Sequence, residues 1–283
     1  MADTRKANKG RSAQQERALA QARAREEAAR LKAAQAAKER RTRLIAISAA
    51  AVVLVAVVVA VVVVLGAATK SNYDEIARPA GANKAGSIVI GQDLAAGGVP
   101  AEGDDVLVLR VYSDYMCPGC GGVERRLGSK FEQLAAEGKI KLEIQPVSFL
   151  DSLSQGTQYS TRATLAAMAV AQGAPDRFLA FHAKLFEDGV QPDENTEGLT
   201  DERLVELAQE VGVPAEVTDK FADAEFKDWV DYATDQARTQ PVITTPSLWI
   251  GKSDSKLTLI EQPGAVDLDD AIAKVLAGEN PNG

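Results

Sequence analysis

Residues 44 to 69, LIAISAAAVVLVAVVVAVVVVLGAAT, carry no ionisable side chain. No other feature of this 283-residue chain limits its organisation as much. As a helix the run spans roughly 39 Å at about 1.5 Å per residue, enough to cross a hydrocarbon core about 30 Å thick. A cleaved signal peptide ending near Gly66, Ala67 and Ala68 is the alternative. Such signals have apolar regions of ~7 to 15 residues and lack a long charged segment ahead of them. The run therefore reads as an uncleaved signal anchor over 44–68.

Charge orients the anchor. Residues 1–43 hold 13 of the 32 Lys and Arg and 5 of the 40 Asp and Glu, so a +8 arm precedes a −16 body. Basic flanks stay on the cytoplasmic side, which places the amino terminus in the cytoplasm and the body outside it. The arm has no aromatics for stacking on bases and no sustained apolar heptad. It reads as a solvated, partly helical segment near anionic headgroups, with no nucleic-acid partner.

Beyond the anchor, a stretch rich in Ala, Gly, Asn and Lys over 69–86 reads as a tether. About 200 residues remain for one folded domain over 87–283, enough for a sizeable core. SIVIG and DDVLVLRVYSDY have strand character. GGVERRLGSKFEQLAAEGK places Val123, Leu127, Phe131 and Leu134 at helical spacing and ends on glycine. IKLEIQPVSFL is again strand-like, 157–240 is helical in four segments, and PSLWIG, KLTLI and an amphipathic AVDLDDAIAKVLAG close the chain. Strand, helix, strand, helical block, two strands and helix make an α/β fold with a helical insertion.

The two cysteines, Cys117 and Cys120, stand at the end of the second strand in DYMCPGC. A zinc site would need two further ligands, and the chain offers one His and no further Cys. Haem attachment requires His after the second Cys, where Gly121 stands. A structural disulfide across two residues would close too small a loop to constrain much of the chain. A redox pair at a helix mouth remains, with no cofactor beyond its own disulfide. Cys117 falls near the N-cap and Pro118 at the first helical position, where its missing N–H costs nothing. The helix dipole favours a thiolate at Cys117, and Cys120 is placed to resolve a mixed disulfide formed through it.

The run VYSDYMCPGC, the helical insertion and ITTPSLWIGK, with Pro246 129 residues after Cys117, together resemble the DsbA-like branch of the thioredoxin superfamily. That resemblance, over roughly residues 85–280, implies a thioredoxin fold whose helical insertion caps the redox centre. It also implies a cis proline at Pro246, preceded by Thr245, opposite the cysteines. A cis X-Pro bond lies only about 0.5 to 1 kcal/mol above trans. It lets Thr245 offer its N–H and C=O to an extended substrate beside Cys117, as in strand addition.

Two positions depart from that family's familiar pattern. Gly119 replaces the His of the strongly oxidising Cys-Pro-His-Cys form, and Val111 stands where related proteins often carry a buried acid. Asp114 is the nearest carboxylate in sequence, and a turn-forming or solvated role is expected for it. His182 shares a helical face with Phe178, Phe181 and Leu185, as a packing histidine does. DENTEGLTDERL begins like a calcium loop but has Leu204 where the bidentate Glu belongs, so Thr200 is expected to cap a helix instead. Tyr115, Met116, Phe149 and Trp249 are candidates to line an apolar peptide groove, although core packing accounts equally well for the last two.

These readings together describe a membrane-anchored, extracytoplasmic thiol-disulfide oxidoreductase, expected to be an oxidase acting on exported cysteine-containing polypeptides. The resemblance implies reoxidation by a quinone-linked membrane partner of the DsbB or VKOR kind. A reductase or isomerase kept reduced by a membrane donor is the alternative within the class. A redox-independent client-binding chaperone or scaffold is the alternative outside it.

Overall fold

The structure, a computed structural model, describes residues 73–240, 244–253 and 255–283. The basic arm over 1–43, the expected membrane span over 44–68 and the first residues of the tether lie outside the described residues. Among the described residues, no helix is long and apolar enough to cross a membrane.

Among the described residues, five strands form one sheet: β1 (Ile88–Val89), β2 (Leu107–Ser113), β3 (Ile140–Pro146), β4 (Ser247–Lys252) and β5 (Thr258–Ile260). Their order across it is β1-β3-β2-β4-β5. β2 is apolar at most positions and buried along nearly its whole length, as a central strand covered on both faces is. It pairs with β3 in parallel, from Leu107 opposite Ile140 to Ser113 opposite Pro146. Such a pair requires a crossover, supplied by helix α1 (Pro118–Ala136). β4 runs antiparallel on the other side of β2, and β1 and β5 complete the edges antiparallel to β3 and β4.

Alternation along β2 divides its side chains. Leu107, Leu109 and Val111 enter the main core with Val123, Leu127, Phe131 and Leu134 of α1. Tyr112 joins a second cluster with Val147, Ala237 and Trp249. On this second face Arg110 and Glu143, register partners on β2 and β3, form an ion pair at 2.8 Å. The α1 helix stops at its C-cap Glu137, and Gly138 follows with φ +72°, the left-handed conformation that glycine enters without steric penalty.

Between β3 and β4 the chain forms α2 (Tyr159–Gly173), α3 (Phe178–Leu185), α4 (Asp201–Glu210), α5 (Ala215–Thr218) and α6 (Lys227–Arg238). After β5 comes α7 (Leu268–Leu276). Small residues let α2 pack closely: Ala163, Ala166, Ala167, Val170 and Ala171 are all buried. Thr200 caps α4 by accepting from Arg203 N at 3.2 Å, so the calcium-like string is a loop leading into a capped helix.

Three local expectations differ from the structure. The last of the four helical segments expected within 157–240, KFADAEFKDWVDYATDQA over 220–237, is interrupted: a 3-10 turn at Phe221–Asp223 ends at Ala224, whose φ of +50° breaks the helical run before α6. The strand read in SIVIG is regular only at Ile88–Val89, with Ile90 bridging to Ala96. The tether reading also gives way from Tyr73 onward. Tyr73 packs on Tyr232 with ring centroids 5.4 Å apart and donates its hydroxyl to Ala82 O at 2.9 Å. Tyr232 in turn donates to Lys84 O at 2.6 Å. Two aromatic rings with satisfied hydroxyls bind this segment to α6, which its small-residue composition concealed.

Candidate active site

The site forms where the carboxyl end of β2 runs into α1. Cys117 is the N-cap of α1, with extended backbone (φ −81°, ψ 114°), and Pro118 occupies the first helical turn. Cys117 O receives Cys120 N at 3.0 Å and Gly121 N at 3.2 Å, so the first turn closes directly on the nucleophile candidate. One turn of helix places Cys120 inward. Both cysteines are free thiols; Cys117 is 7% exposed and Cys120 2%, whereas Pro118 and Gly119 are exposed.

Opposite α1, the loop entering β4 brings Thr245 and Pro246 to the pair. The Thr245–Pro246 peptide is cis, and the Cys117 thiol donates to Thr245 O at 3.4 Å. A Cβ added at Gly119 would lie 3.0 Å from Pro246 Cδ and 3.8 Å from Cys117 Sγ. Cys117, Cys120, Gly119, Thr245 and Pro246 therefore share one site, although 128 residues separate Cys117 from Thr245.

The two thiols titrate in opposite directions. A hydrogen bond from the Cys120 thiol lowers the Cys117 thiol to about 7, against burial, with the Cys120 backbone N–H adding to the lowering. Burial pushes Cys120 well above the ordinary thiol value, and its bond to Cys117 adds to this. A low-pKa outer sulfur beside a high-pKa inner one is an arrangement suited to a nucleophile and a resolver.

Asp114 is not solvated. It is 0% exposed and accepts from Met116 N at 2.9 Å, Leu150 N at 2.9 Å and Ser160 Oγ at 2.6 Å. The turn-forming part of the expectation holds in the Met116 bond. Burial raises its carboxyl to about 6 despite these three donors. Its own N–H donates to Cys120 Sγ at 3.4 Å, so the acid is joined to the inner sulfur through one peptide. Leu150 follows β3 and Ser160 opens α2, so these supporting residues come from sequence 36 and 46 positions away and carry no local signal. Val111, six residues before Cys117, is 2% exposed in the apolar core and offers no proton.

The family model described as Thioredoxin matches residues 104–262, more than half of the chain. The chain belongs to the thioredoxin family. Its DsbA-type character is carried by the crystal structure of oxidised DsbA from Mycobacterium tuberculosis. That protein is similar at 27% identity and a TM-score of 0.53, over 67% of this chain and 92% of that one. Disulfide bond formation protein D of Bacillus subtilis is 29% identical over 170 residues, covering 56% of this chain and 73% of that protein. The serine/threonine-protein kinase PknE of Mycobacterium tuberculosis is 31% identical over 147 residues, half of this chain. The match spans 26% of the kinase, about a quarter of its length.

Within this thioredoxin-family domain the expected apolar groove is not formed by the residues named for it. Tyr115 and Met116 are both 0% exposed in the main core, and Trp249 is 5% exposed in the second cluster, where half-buried Phe149 packs against it. Tyr115 points inward because its hydroxyl meets His182 Nδ1 at 2.9 Å and its ring stacks on Phe186 at 5.1 Å. His182 is a packing histidine with a polar partner. Among the described residues, no group of three or more His, Cys, Asp or Glu is placed to hold a metal ion.

Proposed function

We propose that this thioredoxin-family chain is a thiol-disulfide oxidoreductase acting as an oxidase on exported cysteine-containing polypeptides. One observation carries the reading: a Cys117 sulfur at a helix N-cap, beside Thr245 O on the cis-proline loop, with Cys120 buried behind it. In the oxidised enzyme a substrate thiolate attacks Cys117 Sγ. The Cys117–Cys120 bond breaks, and its electron pair leaves on Cys120. A second substrate thiolate then attacks the substrate sulfur of the mixed disulfide and expels Cys117 as a thiolate. The substrate loses two electrons and the enzyme gains them.

Each part of the site has a task in this sequence. Thr245 presents main-chain groups to an extended substrate segment beside Cys117. The lowered Cys117 thiol makes it the better leaving group in the second step. The names of DsbA and of disulfide bond formation protein D point the same way. We further propose that 44–68 anchors the domain outside the cytoplasm and that a DsbB-like or VKOR-like quinone-linked membrane protein reoxidises the pair. The support for this placement is the +8 arm ahead of an uncharged run.

One observation favours a second reading. The dipeptide between the cysteines is Pro118-Gly119, with no imidazole beside Cys117, so the thiolate lacks the charge interaction that the strongly oxidising His-containing motif has. A less stabilised thiolate makes the pair less oxidising, which suits a reductase or isomerase kept reduced by a membrane donor. The direction is therefore tested by incubating oxidised protein with a reduced, unfolded exported protein and counting the disulfides transferred. A Cys117→Ser, Cys120→Ser double variant that still supports disulfide formation in cells would instead establish the scaffold role. For the topology, protease added to intact spheroplasts should digest the cysteine domain and spare the amino-terminal arm; the reverse pattern overturns the placement.

A further inference from the structure

Gln191 lies in the loop after α3, in the helical insertion, 74 residues from Cys117. Its side-chain amide donates to Cys117 O at 2.9 Å and reaches Tyr115 O at 3.4 Å. Its Oε1 accepts from Arg125 Nη1 at 3.4 Å. Arg125, on α1, also donates to Phe186 O at 2.6 Å and pairs through Nε with Asp188 at 2.9 Å. The insertion's 186–191 loop is thus clasped to the first turns of the redox helix at two points, and one of them is the peptide of the nucleophile.

Gly121 accounts for how Gln191 gets there. A Cβ at this position would lie 2.0 Å from Gln191 Oε1 and 2.6 Å from Arg125 Nη1. The neighbouring Gly122 has nothing within 4 Å of its hypothetical Cβ. Glycine is among the poorest helix formers, and at 121 its use has a contact that requires it. The amide of Gln191 fills the space that a side chain would take.

We propose, resting on the oxidoreductase reading, that Gln191 is a positioning residue for disulfide exchange and that Gly121 is its seat. The amide brings a third donor to Cys117 O, which already accepts from Cys120 N and Gly121 N. It fixes the peptide at the mouth of α1 and presents the positive end of a side-chain dipole to the residue that becomes a thiolate. The insertion thereby adds, through one side chain, to the acidity that Cys120 gives Cys117.

A thiolate titration of the full-length reduced protein tests this, since Cys117 and Cys120 are its only thiols. Gln191→Ala and Gln191→Leu should each raise the Cys117 pKa by about half a unit, through the part of the amide's attraction that favours the thiolate over the thiol. From about 7, that shift roughly halves the thiolate fraction at neutral pH. Gly121→Ala should raise it similarly, because its methyl group expels the amide. In the Gln191→Ala background, Gly121→Ala should add nothing to the pKa shift, as expected of two residues that act on Cys117 through one contact. Two substitutions at 191 keep the test decisive when one of them misfolds. An unmoved pKa in the folded 191 variants, or additive shifts in the double variant, overturns the proposal. The titration uses no substrate, so it stands or falls separately from the disulfide-transfer assay that tests the oxidoreductase reading.

Discussion

Gly119 and Pro246 meet across the redox pair: a Cβ on Gly119 would stand 3.0 Å from the proline's Cδ. The intervening dipeptide and the cis-proline loop therefore constrain each other, and a larger residue at 119 acts on both. Gly119→His adds an imidazolium near Cys117 and also presses on Pro246. The charge should dominate the titration, lowering the Cys117 pKa below about 7 and making the pair more oxidising. Gly119→Ala supplies the steric contact without the charge and should leave the thiolate titration in place. The check is thiolate absorbance against pH together with equilibration in glutathione buffers. An unchanged or more reducing potential in Gly119→His would show that this dipeptide does not set the redox poise.

Asp114 gives a pH dependence with a definite sign. Its carboxyl lies near 6 in the folded protein against an ordinary 3.8, because burial outweighs its three donors. The folded state thus binds the proton more tightly than the unfolded state. Stability should fall as pH rises from about 4 to about 6 and level off above, by on the order of 3 kcal/mol from this group. Asp114→Asn should abolish that fall. It should also lower the Cys117 pKa, since the Asp114 charge acts to raise it. Denaturant unfolding of both proteins across this pH range decides the matter; parallel stability profiles would remove Asp114 from the account.

The order of the two thiols predicts an asymmetry in trapping. Cys120→Ala should accumulate mixed disulfides between Cys117 and exported proteins, because the buried resolver is gone. Cys117→Ala should trap few, since Cys120 is 2% exposed and its thiol is held protonated. Non-reducing gels of alkylated cell extracts read this directly. Equal trapping by both variants would cancel the assigned roles.

The contact beneath the site is equally exposed to test. Tyr115→Phe preserves the ring stacked on Phe186 but leaves His182 Nδ1 without its partner. An unpaired polar group in a fully buried position destabilises by about 1 to 3 kcal/mol. Denaturant unfolding should show a loss of that size. A neutral result would mean that the hydroxyl contributes nothing to the core.

What could be read from the chain followed the range of each signal. Cys117 at the N-cap with Pro118 inside the helix is a local pattern, as is Thr200 capping α4, and both stand where the spacing places them. The alternation of strands and helices around β2 was likewise legible, because each element carries its own periodicity. Asp114 was not, because its burial depends on Leu150 and Ser160, which only the fold brings near. Tyr115 and Met116, adjacent to the cysteines, suggested a groove, yet the β2–α1 turn directs both into the core. Gln191 and Gly121 look like ordinary loop and glycine-pair residues until their contact is seen. The packed segment from Tyr73 depends on Tyr232, far along the chain, and so its composition alone suggested a tether.

Whether the Cys117–Cys120 pair delivers disulfides is decided by its resting redox state in cells. Rapid acid quenching, followed by alkylation with a mass-tagged thiol reagent, counts the free thiols of a protein that has only Cys117 and Cys120. An oxidase awaiting substrate should be found mostly disulfide-bonded, carrying no tags, and should shift to two tags when membrane reoxidation is blocked. A pair already reduced at steady state in unblocked cells, and unchanged by the block, would contradict the oxidase reading and point to electron flow in the opposite direction.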